Sequence, residues 1–134
     1  MERRMNRMES FMGDLSACET MIMKVVWDAK EDIALQDLIR ELAERYDKNY
    51  ARTTVVTFVH KIADKGFVTT YRKGKVAYIH PEVSLTSYQN DLLKQQTDFW
   101  FDGQPSKLLE AWCANNTLTV AEAEKIKELL LRAK

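Results

Sequence analysis

Along the chain, apolar residues recur first every three or four positions, then every second position, then every three or four again. Ser16 and Glu19 stand in the S-x-x-E spacing of a capping box, in which hydroxyl and carboxylate satisfy backbone donors left orphaned at a helix start. Cys18, Ile22, Val25, Val26 and Ala29 follow at helical spacing, with Met21 and Trp27 widening the stripe. This helix should stop near residues 28–30. A second helix is predicted from about Leu35, with Leu35, Leu38, Ile39 and Leu42 on its apolar face. A polar break at 47–50 introduces a third, over about 52–64, with Val55, Phe58, Val59 and Ile62 inward. Its opposite face carries Thr53, Val56, Thr57, His60 and Lys61, and Gly66 stands where a left-handed helix cap is expected.

Beyond Gly66 the period changes to two. The runs 67–72 and 75–80 flank Lys73 and Gly74 and predict a β-hairpin, which Pro81 ends because it has no N–H to give to a ladder. The remainder is helical again: one helix over about 85–99, a second after Gly103 and Pro105, and a third that Thr119 and Glu122 introduce at capping-box spacing. Three helices followed by a hairpin make a winged helix-turn-helix. The expected fold class is therefore mainly α with a small β-hairpin wing, followed by a helical dimerisation segment. Residues 1–13 are expected to form a flexible arm, 14–82 the winged-helix domain and 83–134 the dimerisation domain.

Composition narrows the classes. With 134 residues, 46% of them hydrophobic, the chain can build one small core plus an oligomerisation element. No apolar stretch is long enough to span a membrane, and the start of the chain has no apolar core of a secretory signal, so a cytoplasmic location is expected. Cys18 and Cys113 sit in apolar helical contexts, where buried, inert thiols are expected. His60 and His80 share no ligand spacing with them, so neither a metal nor another cofactor is expected. Nor is there a Gly-rich phosphate loop, a nucleophile paired with a base, or a carboxylate cluster with histidine, which argues against an enzyme.

Net charge is zero, but its distribution is uneven. Residues 14–47 carry nine acidic and four basic side chains, whereas 48–75 carry seven basic and one acidic, a balance of +6. From 76 onward the balance is −2. A locally concentrated positive field lets a neutral protein grip phosphate. The major groove of DNA admits one α-helix, and the third helix has the small, hydroxylated outer face that suits it. Thr53, Thr54 and Thr57 offer hydroxyls to phosphates or bases, Val56 an apolar contact for a thymine methyl, and Arg52 and Lys61 charge at the helix ends. Arg72, Lys73 and Lys75 at the hairpin tip are placed for a flanking backbone or minor groove. The expected partner is double-stranded DNA.

The tail adds apolar surface that one small chain would struggle to cover. Leu85, Tyr88, Leu92 and Phe99 lie on its first helix, Leu108, Leu109 and Trp112 on its second, and Ile126, Leu129 and Leu130 on its third. Such a surface predicts a homodimer interface, and two recognition helices one DNA turn apart read a palindrome more tightly than one. Two other readings stay open on the residues alone. One is a ligand-gated regulator in the style of the MarR proteins; the other is a winged-helix module used for protein contacts.

Leu15, Glu19, Met23 and Trp27 stand in the spacing L-x3-E-x3-M-x3-W, followed by Thr54-Val55-x-Thr57, Lys65-Gly66-Phe67-Val68 and Lys73-Gly74-Lys75-Val76-x-Tyr78. With Trp100-Phe101-Asp102-Gly103 in the tail, the sequence resembles the penicillinase repressor family of the BlaI, MecI and CopY type. The resemblance implies a homodimeric transcriptional repressor on a dyad-symmetric operator, of the kind that silences antibiotic-resistance or copper-export genes, with a membrane sensor and protease system as a further partner. The copper-responsive branch ends in a cysteine-rich motif, whereas residues 129–134 contain no cysteine, so copper sensing is not expected. The β-lactam branch is cut at an Asn-Phe bond, and alignment on Trp100 to Gly103 places Ala111 and Trp112 there, which leaves the inducing signal open.

Overall fold

The computed structural model describes residues 15–115 and 117–133. The arm expected over 1–13 lies outside the described residues. Helix α1 (Ala17–Asp28) starts on the predicted capping box: Ser16 Oγ accepts from the Glu19 N–H at 3.1 Å, and Glu19 Oε1 accepts from the Ser16 N–H at 2.8 Å. It ends at Ala29, whose extended backbone breaks the helical dihedrals. Strand β1 (Ile33–Ala34) leads directly into α2 (Leu35–Tyr46), which closes on Asp47 in the left-handed region at φ 56°. Aspartate tolerates that region because its short polar side chain bonds locally. Helix α3 (Arg52–Asp64) then spans the predicted range and ends before Gly66, whose φ of 87° makes it the expected left-handed residue.

Strands β2 (Val68–Lys73) and β3 (Val76–Pro81) form the hairpin. Lys73 pairs with Val76, so the loop is Gly74 and Lys75, with Gly74 at φ 67° in the first loop position, where a type II′ turn requires a positive φ. The sheet has three strands in the order β1-β3-β2, all antiparallel. The extra strand is β1, with Ile33 opposite Ile79 and Ala34 opposite Tyr78. Two residues are too few to show a period of two, so the pattern alone does not reveal it.

One core serves α1, α2, α3 and the sheet. Ile22, Met23, Leu38, Leu42, Val55 and Ile62 are almost fully buried, with Ile33, Val68 and Ile79 contributed by the strands. Trp27 sits at its edge and donates its indole N–H to the Val83 carbonyl at 2.8 Å, which fixes the path leaving β3. Tyr88, in the first turns of α4 (Leu85–Trp100), packs its ring 5.2 Å from Trp27 and 5.6 Å from Phe67. Tyr88 thus has an intrachain place on this core, besides the interface position that its spacing suggests.

The chain divides into two compact units, one running through Leu92 and the other beginning at Leu93. The second holds the rest of α4, then α5 (Pro105–Asn115) and α6 (Val120–Arg132), which Thr119 caps by accepting from the Glu122 N–H at 3.1 Å. Neither α5 nor α6 has a buried residue. Both cysteines are free thiols, but only Cys18 is partly covered, its sulfur 2.9 Å from the Tyr50 hydroxyl. Cys113 is exposed rather than buried, and no residue of α5 is fully buried within this chain. None of the described helices is long and apolar enough to cross a membrane.

Candidate nucleic-acid interface

The inner face of α3 is anchored by Val55, Val59 and Ile62, which fixes what the other faces show. Arg52, Thr53, Thr57, His60 and Lys61 are exposed, and Thr54 is half-buried. Val56 is also half-buried: it packs on the core and looks towards the wing. The Thr57 hydroxyl donates to the Thr53 carbonyl at 2.9 Å, so in the free protein its proton is engaged along the helix while its lone pairs stay open. No side chain caps the start of α3, and its first turn holds no acidic residue. The partial positive charge of the helix N-terminus is left available to an anion.

The wing brings Arg72, Lys73 and Lys75 to the hairpin tip, all exposed. The Arg72 guanidinium reaches the Lys75 carbonyl at 3.4 Å, a long bond that spans the tip. Between α3 and the sheet lies an open groove of about 320 Å³, lined by Arg52, Val56 and His60 from the helix and by Thr70, Arg72 and Ala77 from the wing.

Charge pairing is commoner elsewhere on the molecule, where Lys30, Lys48, Lys125 and Lys127 are the lysines and arginines without a carboxylate within 4.0 Å among the described residues. Elsewhere, Lys24 and Arg45 pair with Asp28, Arg40 with Asp37, Lys94 with Asp98 and Lys107 with Asp102. Among the described residues, none of Arg52, Lys61, Arg72, Lys73 and Lys75 meets a carboxylate within 4.0 Å. Five exposed cations without a counter-charge leave a strong field over α3 and the wing tip.

Lys65, which belongs to the same basic stretch of sequence, is not part of that field. Its ammonium lies 2.6 Å from Glu19 Oε1, and the Glu19 side chain is only 3% exposed. Burial pushes the Glu19 carboxyl up, but the Lys65 hydrogen bond and the Ser16 N–H outweigh it and hold the carboxyl below its ordinary range. Glu19 therefore caps α1 and ties it to the residue that follows α3. Its capping role is legible from spacing; its ion pair with a residue 46 positions away is not.

The outer face of the wing carries a second cluster. Tyr71 donates to Asp32 Oδ2 at 2.6 Å, and His80 Nδ1 lies 2.8 Å from Asp32 Oδ1. The bond to Asp32 pushes the Tyr71 phenol up to about 12, and the same carboxylate raises His80. Asp32 in turn is held below its ordinary value by Tyr71 and then by His80. Here a carboxylate balances the imidazole, so this face does not extend the cationic surface. Among the described residues no three histidine, cysteine or carboxylate side chains are grouped to hold a metal.

The model of the penicillinase repressor family matches residues 15–132. Among solved structures, the solution structure of the DNA-binding domain of the repressor BlaI is similar at 24% identity and a TM-score of 0.47, over 55% of this chain and 87% of that one. No curated protein matches the chain. A match that runs from the start of the winged helix through the last tail helix leaves little of the chain outside it, and this chain belongs to the penicillinase repressor family.

Proposed function

We propose that the chain is a homodimeric, sequence-specific repressor that binds double-stranded DNA at a dyad-symmetric operator. The observation that carries this reading is the set of five exposed cations on α3 and the wing tip without a carboxylate partner among the described residues. Helix α3 enters the major groove, where Arg52, Thr53, Thr54, Val56, Thr57 and Lys61 meet bases and phosphates. Arg72, Lys73 and Lys75 hold the flanking backbone. Residues 83–134 serve as the dimerisation domain. Leu92, Phe99, Leu109, Trp112, Leu129 and Leu130 are all exposed on a single chain, a surface that monomers rarely leave uncovered. Leu85, Leu108 and Ile126, half-buried already, complete it. Two α3 helices then sit about 34 Å apart, one DNA turn, and impose the dyad on the operator.

Fluorescence anisotropy with a labelled duplex from the region around its own gene, beside a scrambled duplex, tests this. Preferential binding by two chains is expected, with affinity falling about 10³–10⁵-fold between 50 and 200 mM salt if six to ten phosphates are neutralised. Arg52→Ala and Lys61→Ala should each weaken binding and lower the salt slope by about 1, without changing the oligomeric state. Full affinity in both variants removes α3 from the mechanism. Binding indifferent to salt favours a protein-interaction module instead.

A further inference from the structure

The groove between α3 and the wing has a composition that phosphate contact alone does not require. Arg52 and Arg72 stand on its two sides, one from the recognition helix and one from β2. The lining also holds apolar side chains, Val56 and Val59 from the helix and Ala77 and Ile79 from β3, together with polar ones such as His60 and Thr70. At about 320 Å³ the space lies at the lower end of the range for small-molecule sites, roughly 300–1,000 Å³. We propose that this groove is an effector site for a small organic carboxylate with an apolar body, and that its occupation excludes DNA.

The argument is one of complementarity. A planar guanidinium matches a carboxylate with two parallel hydrogen bonds, and neither Arg52 nor Arg72 has a carboxylate of this chain to satisfy it among the described residues. Water held against the apolar part of this lining is displaced favourably by an apolar body. A bare inorganic anion gains only the first of these terms, whereas an aromatic acid of one or two rings gains both. Arg52 and Arg72 are also cations that the DNA backbone needs, so acid and duplex compete for the same groups. The inference rests on the DNA-binding reading of this surface, and it supplies a direct route for an inducing signal: the acid neutralises the surface it occupies.

The test uses the full chain with 2-naphthoate as probe and 2-naphthamide as its neutral counterpart. Methyl NMR signals of Val56, Val59 and Ile79 should shift saturably with naphthoate and stay unchanged with the amide. In anisotropy, naphthoate at ten times its dissociation constant should weaken duplex binding about elevenfold, as simple competition requires. Ala77→Leu fills the groove from the wing side; it should abolish the naphthoate shifts and leave duplex affinity intact. Should that variant fail to fold, Arg72→Gln gives a second reading, with naphthoate affinity expected to fall at least about tenfold, the loss of one charged hydrogen-bonded contact. Absence of saturable shifts at millimolar naphthoate, equal binding of the amide, or unchanged naphthoate affinity in both variants overturns the site. Groove binding that leaves duplex affinity unchanged overturns the exclusion. A chain that binds no duplex at all overturns the DNA reading and the exclusion with it, while the methyl titration still decides the ligand site by itself.

Discussion

Replacing Lys65 with methionine isolates an ion pair of the winged helix whose carboxylate is buried. The substitution keeps the aliphatic stem and removes the ammonium that lies 2.6 Å from Glu19 Oε1. Removing one partner of a fully dry pair costs about 3–5 kcal/mol, and breaking an exposed pair costs about 0.2–1 kcal/mol. Here the carboxylate side is 3% exposed and the ammonium side 34%, so water screens the cation but does not reach the anion. The two Ser16 capping bonds survive. The expected loss is therefore intermediate, about 2 kcal/mol, or roughly 8–16 °C in Tm for a unit of this size. Urea unfolding followed by circular dichroism measures it. The pH dependence gives a sharper check. In the native chain Glu19 titrates below its ordinary 4.5, so the pair's contribution is complete above that value and is lost as the pH falls through the lower, folded-state value. Without Lys65, burial is opposed by Ser16 alone and the carboxyl titrates higher than in the native chain. The gap between variant and wild type should then narrow as the pH falls through the variant's higher value, because protonation relieves the stranded charge. Glu19→Gln combined with Lys65→Met should recover more than half of the loss. A single-variant loss under about 0.5 kcal/mol with an unchanged pH profile would refute the buried pair.

Two further outcomes test the wing. Gly74→Ala meets no atom within 4 Å of the new Cβ, so its cost is purely the left-handed backbone, about 1–2 kcal/mol by urea unfolding, and Gly74→Asn should cost less than half as much. Equal costs for Ala and Asn would show that Asn's local side-chain bonding does not relieve the backbone at this position. Asp32→Asn should bring the Tyr71 phenol from about 12 back towards about 10, read by ultraviolet titration, and lower the His80 midpoint in NMR. Because His80 titrates above its ordinary value in the folded state, its bond to Asp32 contributes fully below the unfolded value of about 6.5 and fades as the pH rises through the folded one. A Tyr71 midpoint unmoved by the substitution would remove Asp32 as the cause.

The sequence alone reaches far into this protein wherever a signal is local. The Ser16 capping box, the inward faces of α1, α2 and α3, the cap at Gly66 and the hairpin around Gly74 follow from spacings of two to four residues, which helices and turns impose directly on the chain. The cationic stretch is equally visible, since charge can be counted without coordinates. What the tertiary structure alone decides is which of these groups meet. Lys65, counted in the basic stretch, is withdrawn from its free charge because Glu19, 46 positions earlier, holds its ammonium. Tyr88 acquires an intrachain place because Trp27 and Phe67 come to it from α1 and the foot of the wing. Strand β1 exists because β3 offers it an edge, and two residues carry too little pattern to announce that pairing. The groove beside α3 depends on Arg52 and Arg72, twenty positions apart in sequence, coming to line the same space. Periodicity records which side of an element is buried. It holds no information on what stands opposite, because that is set by the packing of elements distant in sequence.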